Sequence, residues 1–250
     1  MRVTREQATA HCEKIFHRFW DHQLRRVKEQ AESASRDQTR PTRHSGVPMV
    51  WNDGPVTASV LSFVCLVRHG ETPWTLTGQH TGRTDIPLTA RGEDQARTLT
   101  ARLHDMHFTD VFTSPLERAR RTCELAGFAI DATIDPDLLE WNYGDYEGRR
   151  TSEIVDIRPG WRLFNDGCPN GESLEDVVLR TERVITRVRQ CSGNVLLFAH
   201  RDILRVVTAR WLDLPGREGR RLYLDTGSVS ILGYDHGQNE PAIRLWNECP

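Results

Sequence analysis

Lysine is almost missing from this 250-residue chain: it occurs at Lys14 and Lys28 and nowhere else. Beyond position 28, any anion must therefore be met by guanidinium, imidazole or backbone N–H groups. Net charge is nearly absent too, with 33 Lys+Arg against 35 Asp+Glu. That balance argues against a nucleic-acid binder, which works through a basic surface. No apolar run approaches the roughly 18 residues that a membrane-spanning helix needs, so no membrane partner is expected. The opening MRVTREQATAHCEKIF is charged and lacks the apolar stretch of a secretory leader. The six cysteines are Cys12, Cys65, Cys123, Cys168, Cys191 and Cys249, with no C-x-x-C pair among them. Without a leader, the expectation is reduced thiols and a cytoplasmic location. The clustered His/Cys spacing of a zinc site is missing as well, and no internal repeat is visible.

What is there falls into two parts. Ile15, Phe16, Phe19, Trp20, Leu24 and Val27 recur at spacings of three and four, which predicts an amphipathic helix. His11, His17 and His22 fall on that helix as surface residues. A Ser-, Thr-, Arg- and Pro-containing stretch follows without periodicity and reads as a linker. Residues 1–58 are thus expected to be a helical extension with its linker, and residues 59–250 one domain. Both charge signs on the polar face of the extension favour packing on protein, with a homo-oligomer left open, over a lipid surface.

From Leu61 the pattern becomes strand, helix, strand. LSFVCLV and NVLLFAH are short continuous apolar runs, as buried parallel strands are. TARGEDQARTLTARLHD reads as a helix with Thr89 as its cap. DVFTS is a short strand, after which Pro115 is expected to open a helix. Residues 172–190 and ILRVVTARWL carry helical periodicity, and VSILGY and AIRLW are closing strands. Such alternation predicts an α/β fold, a three-layer α/β/α sandwich around a mostly parallel sheet.

Two of the apolar strands run into histidine, His69 and His200, and ligands bind at the carboxyl ends of parallel strands. Arg68 adjoins the first, and Arg118 stands at the start of the helix after VFTSP. Two imidazoles and two guanidiniums can surround a phosphoryl group, with the arginines neutralising its oxygens and an imidazole attacking phosphorus. An acid must then protonate the leaving alkoxide. Glu140, Asp145 and Glu147 are the candidates, and spacing alone does not rank them.

LVRHGETPW followed by GQHTGRTDIPLTARGEDQA, then TSPLERARRT, EWNYGDYEG and FAH, resembles the histidine phosphatase superfamily, the phosphoglycerate-mutase-like proteins, with four motifs in the family's order over roughly residues 61–235. The resemblance implies that His69 is the phosphorylated nucleophile and Arg68 its phosphate-gripping neighbour. It makes Arg118 a second clamp, His200 the second histidine at the phosphoryl group, and Glu140 the proton donor. Thr75 stands where many members have Asn or Ser near the phosphate, so its hydroxyl is expected to donate there; Thr81 and Gly82 match the substrate-side loop, and Tyr143 follows the acid at the family's distance. No metal and no cofactor are implied, and the partner is a small phosphorylated substrate.

The superfamily holds phosphatases and mutases. Mutases place Arg-His where this chain has Trp141-Asn142, and they hold a carboxylate with a lysine that this chain lacks. The stretch from Glu140 to Gly148, with DGCPNGES downstream, most resembles the branch of sedoheptulose-1,7-bisphosphatase and fructose-bisphosphatase-like enzymes. The expectation is a phosphatase of sugar phosphates or bisphosphates. Its alternatives are a mutase-type phosphotransferase and a catalytically weakened binding or scaffold member. The last rests on Arg201-Asp202, which replaces the glycine that usually follows the second histidine. Arg201 is expected either to turn outward to an acidic neighbour or to reach the pocket mouth and bind a second phosphate or a carboxylate.

Overall fold

The computed structural model describes residues 61–250; the expected N-terminal helix and linker lie outside the described residues. Strands β1 (Val64–Arg68), β2 (Asp110–Thr113), β3 (Ala132–Ile134) and β4 (Val195–Ala199) run parallel. Strands β5 (Val229–Tyr234) and β6 (Pro241–Glu248) extend the sheet antiparallel, giving the order β3-β2-β4-β1-β5-β6. The helices are α1 (Pro73–Thr77), α2 (Ala90–Leu103), α3 (Glu117–Leu125), α4 (Thr151–Ile157), α5 (Leu163–Asp166), α6 (Leu174–Gln190) and α7 (Arg201–Trp211).

The continuous apolar runs are explained by the two faces of the sheet. Successive side chains of a strand point to opposite sides. Val64, Leu66, Val195, Leu197 and Ala199 enter one core with Val177, Val184 and Val188 of α6 and Ile203, Val206 and Val207 of α7. Cys65, Val67, Leu196 and Phe198 enter the other, with Leu99 and Leu103 of α2 and Cys123 of α3. Full burial of each Leu, Val or Phe contributes about 1.5–3 kcal/mol, so the interiors of β1 and β4 are apolar on both faces. The three-layer expectation holds.

Thr89 caps α2 by accepting the Gly92 N–H, as expected, and Ser173 caps α6 in a reciprocal box with Asp176. The expectation for Pro115 fails. Helix α3 begins at Glu117, because Ser114 still bonds the sheet through its N–H to the Phe198 carbonyl at 2.9 Å. A residue so extended, and preceding proline, cannot enter a helix at once. Strand β3 and the short helices α1, α4 and α5 carry too few residues for periodicity to reveal them.

Candidate active site

The register of the sheet builds the site. Arg68 pairs with Ala199 across β1 and β4, and the His69 N–H donates to the Ala199 carbonyl at 3.0 Å. The next residues on both strands are thus neighbours, and the rings of His69 and His200 lie 5.2 Å apart between centroids. Both histidines are buried. After His69 the chain turns against the first turn of α2 so closely that a Cβ on Gly70 would lie 2.3 Å from the Gly92 carbonyl oxygen. Only glycine permits that approach.

The two imidazoles are held differently. Nδ1 of His69 lies 2.7 Å from the Gly70 carbonyl oxygen. A carbonyl only accepts, so Nδ1 carries the proton and Nε2 of the neutral ring keeps its lone pair. Nδ1 of His200 accepts from Nε of Arg118 at 3.1 Å, and its Nε2–H donates to the Ser114 hydroxyl at 2.7 Å. Burial, then Arg118 and Arg68, hold the His69 pKa well below its ordinary value; burial, Arg118 and His69 do the same to His200. Both rings are therefore neutral at physiological pH.

Arg68 donates from Nη1 to the Leu224 carbonyl at 2.6 Å, while its buried Nε has no partner among the described residues. Burial, then the neighbouring charge of Arg201, lower its pKa to about 10, so it stays cationic. Arg118 is fully buried. Its Nη1 donates to the Thr84 carbonyl at 3.0 Å, and Nη2 to those of Thr81 at 3.1 Å and Gly82 at 2.9 Å. Arg118 thus ties the 81–84 loop to His200, and four of its five donors are engaged.

The three carboxylate candidates separate in space. Glu140 is buried and lies at the N-terminus of α7, whose own cap residue His200 makes no capping bond. Its Oε2 accepts the Asp202 N–H at 3.0 Å, and Oε1 accepts those of Ile203 at 3.0 Å and Trp141 at 2.9 Å. A carboxyl from a distant loop thereby fills the helix-end donors. Glu147 instead accepts the N–H groups of Gly82 and Thr84 at 2.7 and 3.2 Å. Asp145 pairs at the surface with Asn170.

Asp202 was not foreseen as a site residue, and it is buried beside Glu140. It accepts from the Tyr143 hydroxyl at 2.6 Å and from Nη1 of Arg205 at 2.5 Å. Burial alone would raise its pKa, but Arg205, Arg201 and the Tyr143 hydroxyl outweigh that and hold it down. Burial and the Asp202 charge push the Glu140 pKa up against its three N–H bonds. One carboxyl of the pair is held ionised and the other is biased towards protonation. Tyr143, expected near substrate, thus spends its hydroxyl on Asp202, and burial keeps it a phenol by raising its pKa well above the ordinary value.

The remaining expected residues sort as follows. Thr75 donates its hydroxyl to the Thr72 carbonyl at 2.8 Å and accepts the Thr72 N–H at 2.9 Å, so its one O–H is committed to the start of α1. The expectation that it remains free to donate to phosphate fails for that reason. Thr81 and Gly82 act through their carbonyls on Arg118. A Cβ on Gly82 would lie 2.5 Å from the Trp141 carbonyl oxygen, which requires glycine. Arg201 does not pair with Asp202, whose oxygens are taken; its guanidinium stacks over Tyr223 at 5.7 Å. Ser114, the partner of His200, had only its place in TSPLERARRT as a signal.

The chain belongs to the histidine phosphatase superfamily (branch 1), whose family model matches residues 64–249. It is similar to an acid phosphatase of Mycobacterium tuberculosis, 37% identical over 182 residues that cover 71% of this chain and 89% of the relative. It is similar to a sedoheptulose 1,7-bisphosphatase of Saccharomyces cerevisiae, 37% identical over 245 residues covering 72% and 90%. Among solved structures, that of the open reading frame Rv3214 product of M. tuberculosis matches with a TM-score of 0.71 and 34% identity, covering 75% of this chain and 98% of that one.

Proposed function

We propose that this protein is a phosphomonoesterase of small phosphorylated metabolites, sugar phosphates foremost, working through a phosphohistidine at His69. The observation that carries the reading is the His69 ring: Nδ1–H is anchored on the Gly70 carbonyl, which leaves the Nε2 lone pair available between Arg68 and His200.

In the first half-reaction Nε2 attacks phosphorus and the bond to the leaving alkoxide breaks. Arg68 and the remaining Arg118 donor balance the phosphoryl charge. Glu140 supplies the proton to the alkoxide. Its Oε1 accepts two N–H bonds and its Oε2 only one, so Oε2 is the oxygen with room for a proton. In the second half-reaction Glu140 takes a proton from water, which attacks phosphorus, and the P–N bond breaks to release inorganic phosphate.

The cations in this scheme are guanidiniums, and no step calls on a metal or cofactor. The sugar-phosphate assignment draws on the likeness to the yeast bisphosphatase. Against a mutase, Trp141 and Asn142 are turned to structural work: Trp141 Nε1–H donates to the Glu172 carbonyl, and the Asn142 side-chain oxygen accepts the Gly144 N–H. A cytoplasmic location fits Cys65, Cys123, Cys168, Cys191 and Cys249, which form no disulfide among the described residues. Among the described residues, no helix is long and apolar enough to cross a membrane.

The test is release of inorganic phosphate from p-nitrophenyl phosphate and from a panel of sugar phosphates, in the presence of EDTA. Steady release is expected. Activity that EDTA removes would overturn the metal-free scheme, and no release from any ester would leave a binding protein.

A further inference from the structure

Arg201 has no counterpart in the family's usual motif, where glycine stands. Its surroundings are unusual for an arginine. It is the first residue of α7, directly after His200, and its side chain is half-buried. Its Nε is shielded from solvent and has no hydrogen-bond partner among the described residues. The neighbouring carboxyls are all engaged elsewhere: Asp202 holds Arg205 and Tyr143, and Glu140 holds three backbone N–H groups. Among the described residues, neither Arg201 nor Arg68 forms an ion pair.

Arg201 also belongs to the site. Its charge acts on Arg68, His80 and Tyr143, and for Arg68 it is the foremost charged neighbour. Both arginines flank the same segment. Arg68 holds the Leu224 carbonyl, and Arg201 stacks on the exposed ring of Tyr223. Two guanidiniums, each with a buried Nε that has no partner among the described residues, thus face one another's field, with Asp202 and Glu140 as the carboxyls acting on both. Neighbouring guanidiniums with donors to spare suit a multiply charged anion.

We propose that Arg201 is the principal cation of a second anion subsite, next to the one that holds the transferred phosphoryl group, and that the chain's preferred substrates carry a second phosphate. The inference rests on the phosphatase reading of the His69 site and narrows its substrate class to sugar bisphosphates. Arg68 serves the transferred group, and Arg201 takes the distal one. Arg205 is committed elsewhere, with Nε, Nη1 and Nη2 each donating, to the Gly219 carbonyl, Asp202 and the Arg220 carbonyl.

The test compares sedoheptulose 1,7-bisphosphate with its two monophosphates, using the wild-type chain, Arg201→Gly and Arg201→Gln. The glutamine variant guards against loosening of the first turn of α7 by glycine. KM for the bisphosphate should rise roughly tenfold to a hundredfold more than KM for either monophosphate, the loss expected for one charge-assisted contact. Calorimetry in the His69→Ala background reads binding without turnover. There the bisphosphate should bind more tightly than the monophosphates, and Arg201→Gln should erase the difference. Equal weakening of both classes, or no preference in the wild-type chain, overturns the subsite. An Arg201-dependent preference for 3-phosphoglycerate over the bisphosphate overturns the second-phosphate assignment. If no ester is hydrolysed while the Arg201-dependent preference persists, the subsite stands and the reaction assignment falls.

Discussion

His69 and His200 end neighbouring parallel strands, lie 5.2 Å apart and are equally buried, yet their surroundings assign them different work. His69 is anchored at one nitrogen by its own backbone turn, and the other nitrogen keeps a lone pair. His200 is held at both, by Arg118 on one side and Ser114 on the other. A ring with a spare lone pair can form a bond to phosphorus. A ring bonded at both nitrogens can orient Arg118 and shape the site, but it cannot become a nucleophile without first breaking a buried bond. Hydrogen bonding, rather than position on the sheet or residue type, separates the two.

The sharpest way to break this comparison is to remove each histidine. His69→Ala should lower kcat/KM by at least about 10⁴-fold, as loss of a nucleophile does, and should abolish acid-labile labelling of the protein by substrate phosphate. Labelling that persists in His69→Ala and vanishes in His200→Ala would reverse the roles. Next comes the acid: Glu140→Gln should slow alkyl phosphates by roughly 10²–10⁴-fold and slow phenolic esters far less, because a phenolate leaves without help. Equal losses on both would make Glu140 a helix cap only. His200→Ala should cost less than His69→Ala, about 10²–10³-fold in kcat, with labelling retained.

A pH experiment sharpens the comparison of the two carboxyls. The free-base requirement of His69, whose pKa lies well below 6.5, places the acid limb of kcat/KM below that value. The proposed scheme requires a protonated Glu140, which should set the alkaline limb. Asp202 raises the Glu140 pKa by its charge, so Asp202→Asn should let Glu140 ionise more readily and move the alkaline limb to lower pH. An unmoved limb would show that the two carboxyls do not interact. The smallest effect concerns Ser114→Ala, which orphans the buried Nε2–H of His200. It should reduce unfolding free energy by about 1–3 kcal/mol, read from urea denaturation.

Much of this was legible in the chain. The continuous apolar runs of β1 and β4 marked them as buried parallel strands, and the residues after such strands are where a ligand site forms. Arg68, His69, Arg118, Glu140 and His200, far apart in the chain, are brought together at the ends of β1 and β4. Thr75 misled because a hydroxyl at the right motif position says nothing about its partner, and here the partner is Thr72. Pro115 misled because its local preference for a first helical turn lost to the sheet bond of Ser114.

The sequence by itself determined which side chains are available: with lysine absent after position 28, arginine and histidine had to supply the cationic and nucleophilic groups. It also determined the layering, since continuously apolar strands alternating with helices must be covered on both faces. Spacing left Glu140, Asp145 and Glu147 unranked and the resemblance implied Glu140, but their different surroundings were decided only by tertiary structure. All three sit in one turn-rich stretch, and Glu140 alone reaches the Asp202 and Ile203 N–H groups, more than 60 residues on, beside a second buried carboxyl. Proton affinity and free lone pairs depend on such through-space neighbours. No local pattern encodes them, because they come into being when the start of α7 closes over the loop that carries Glu140.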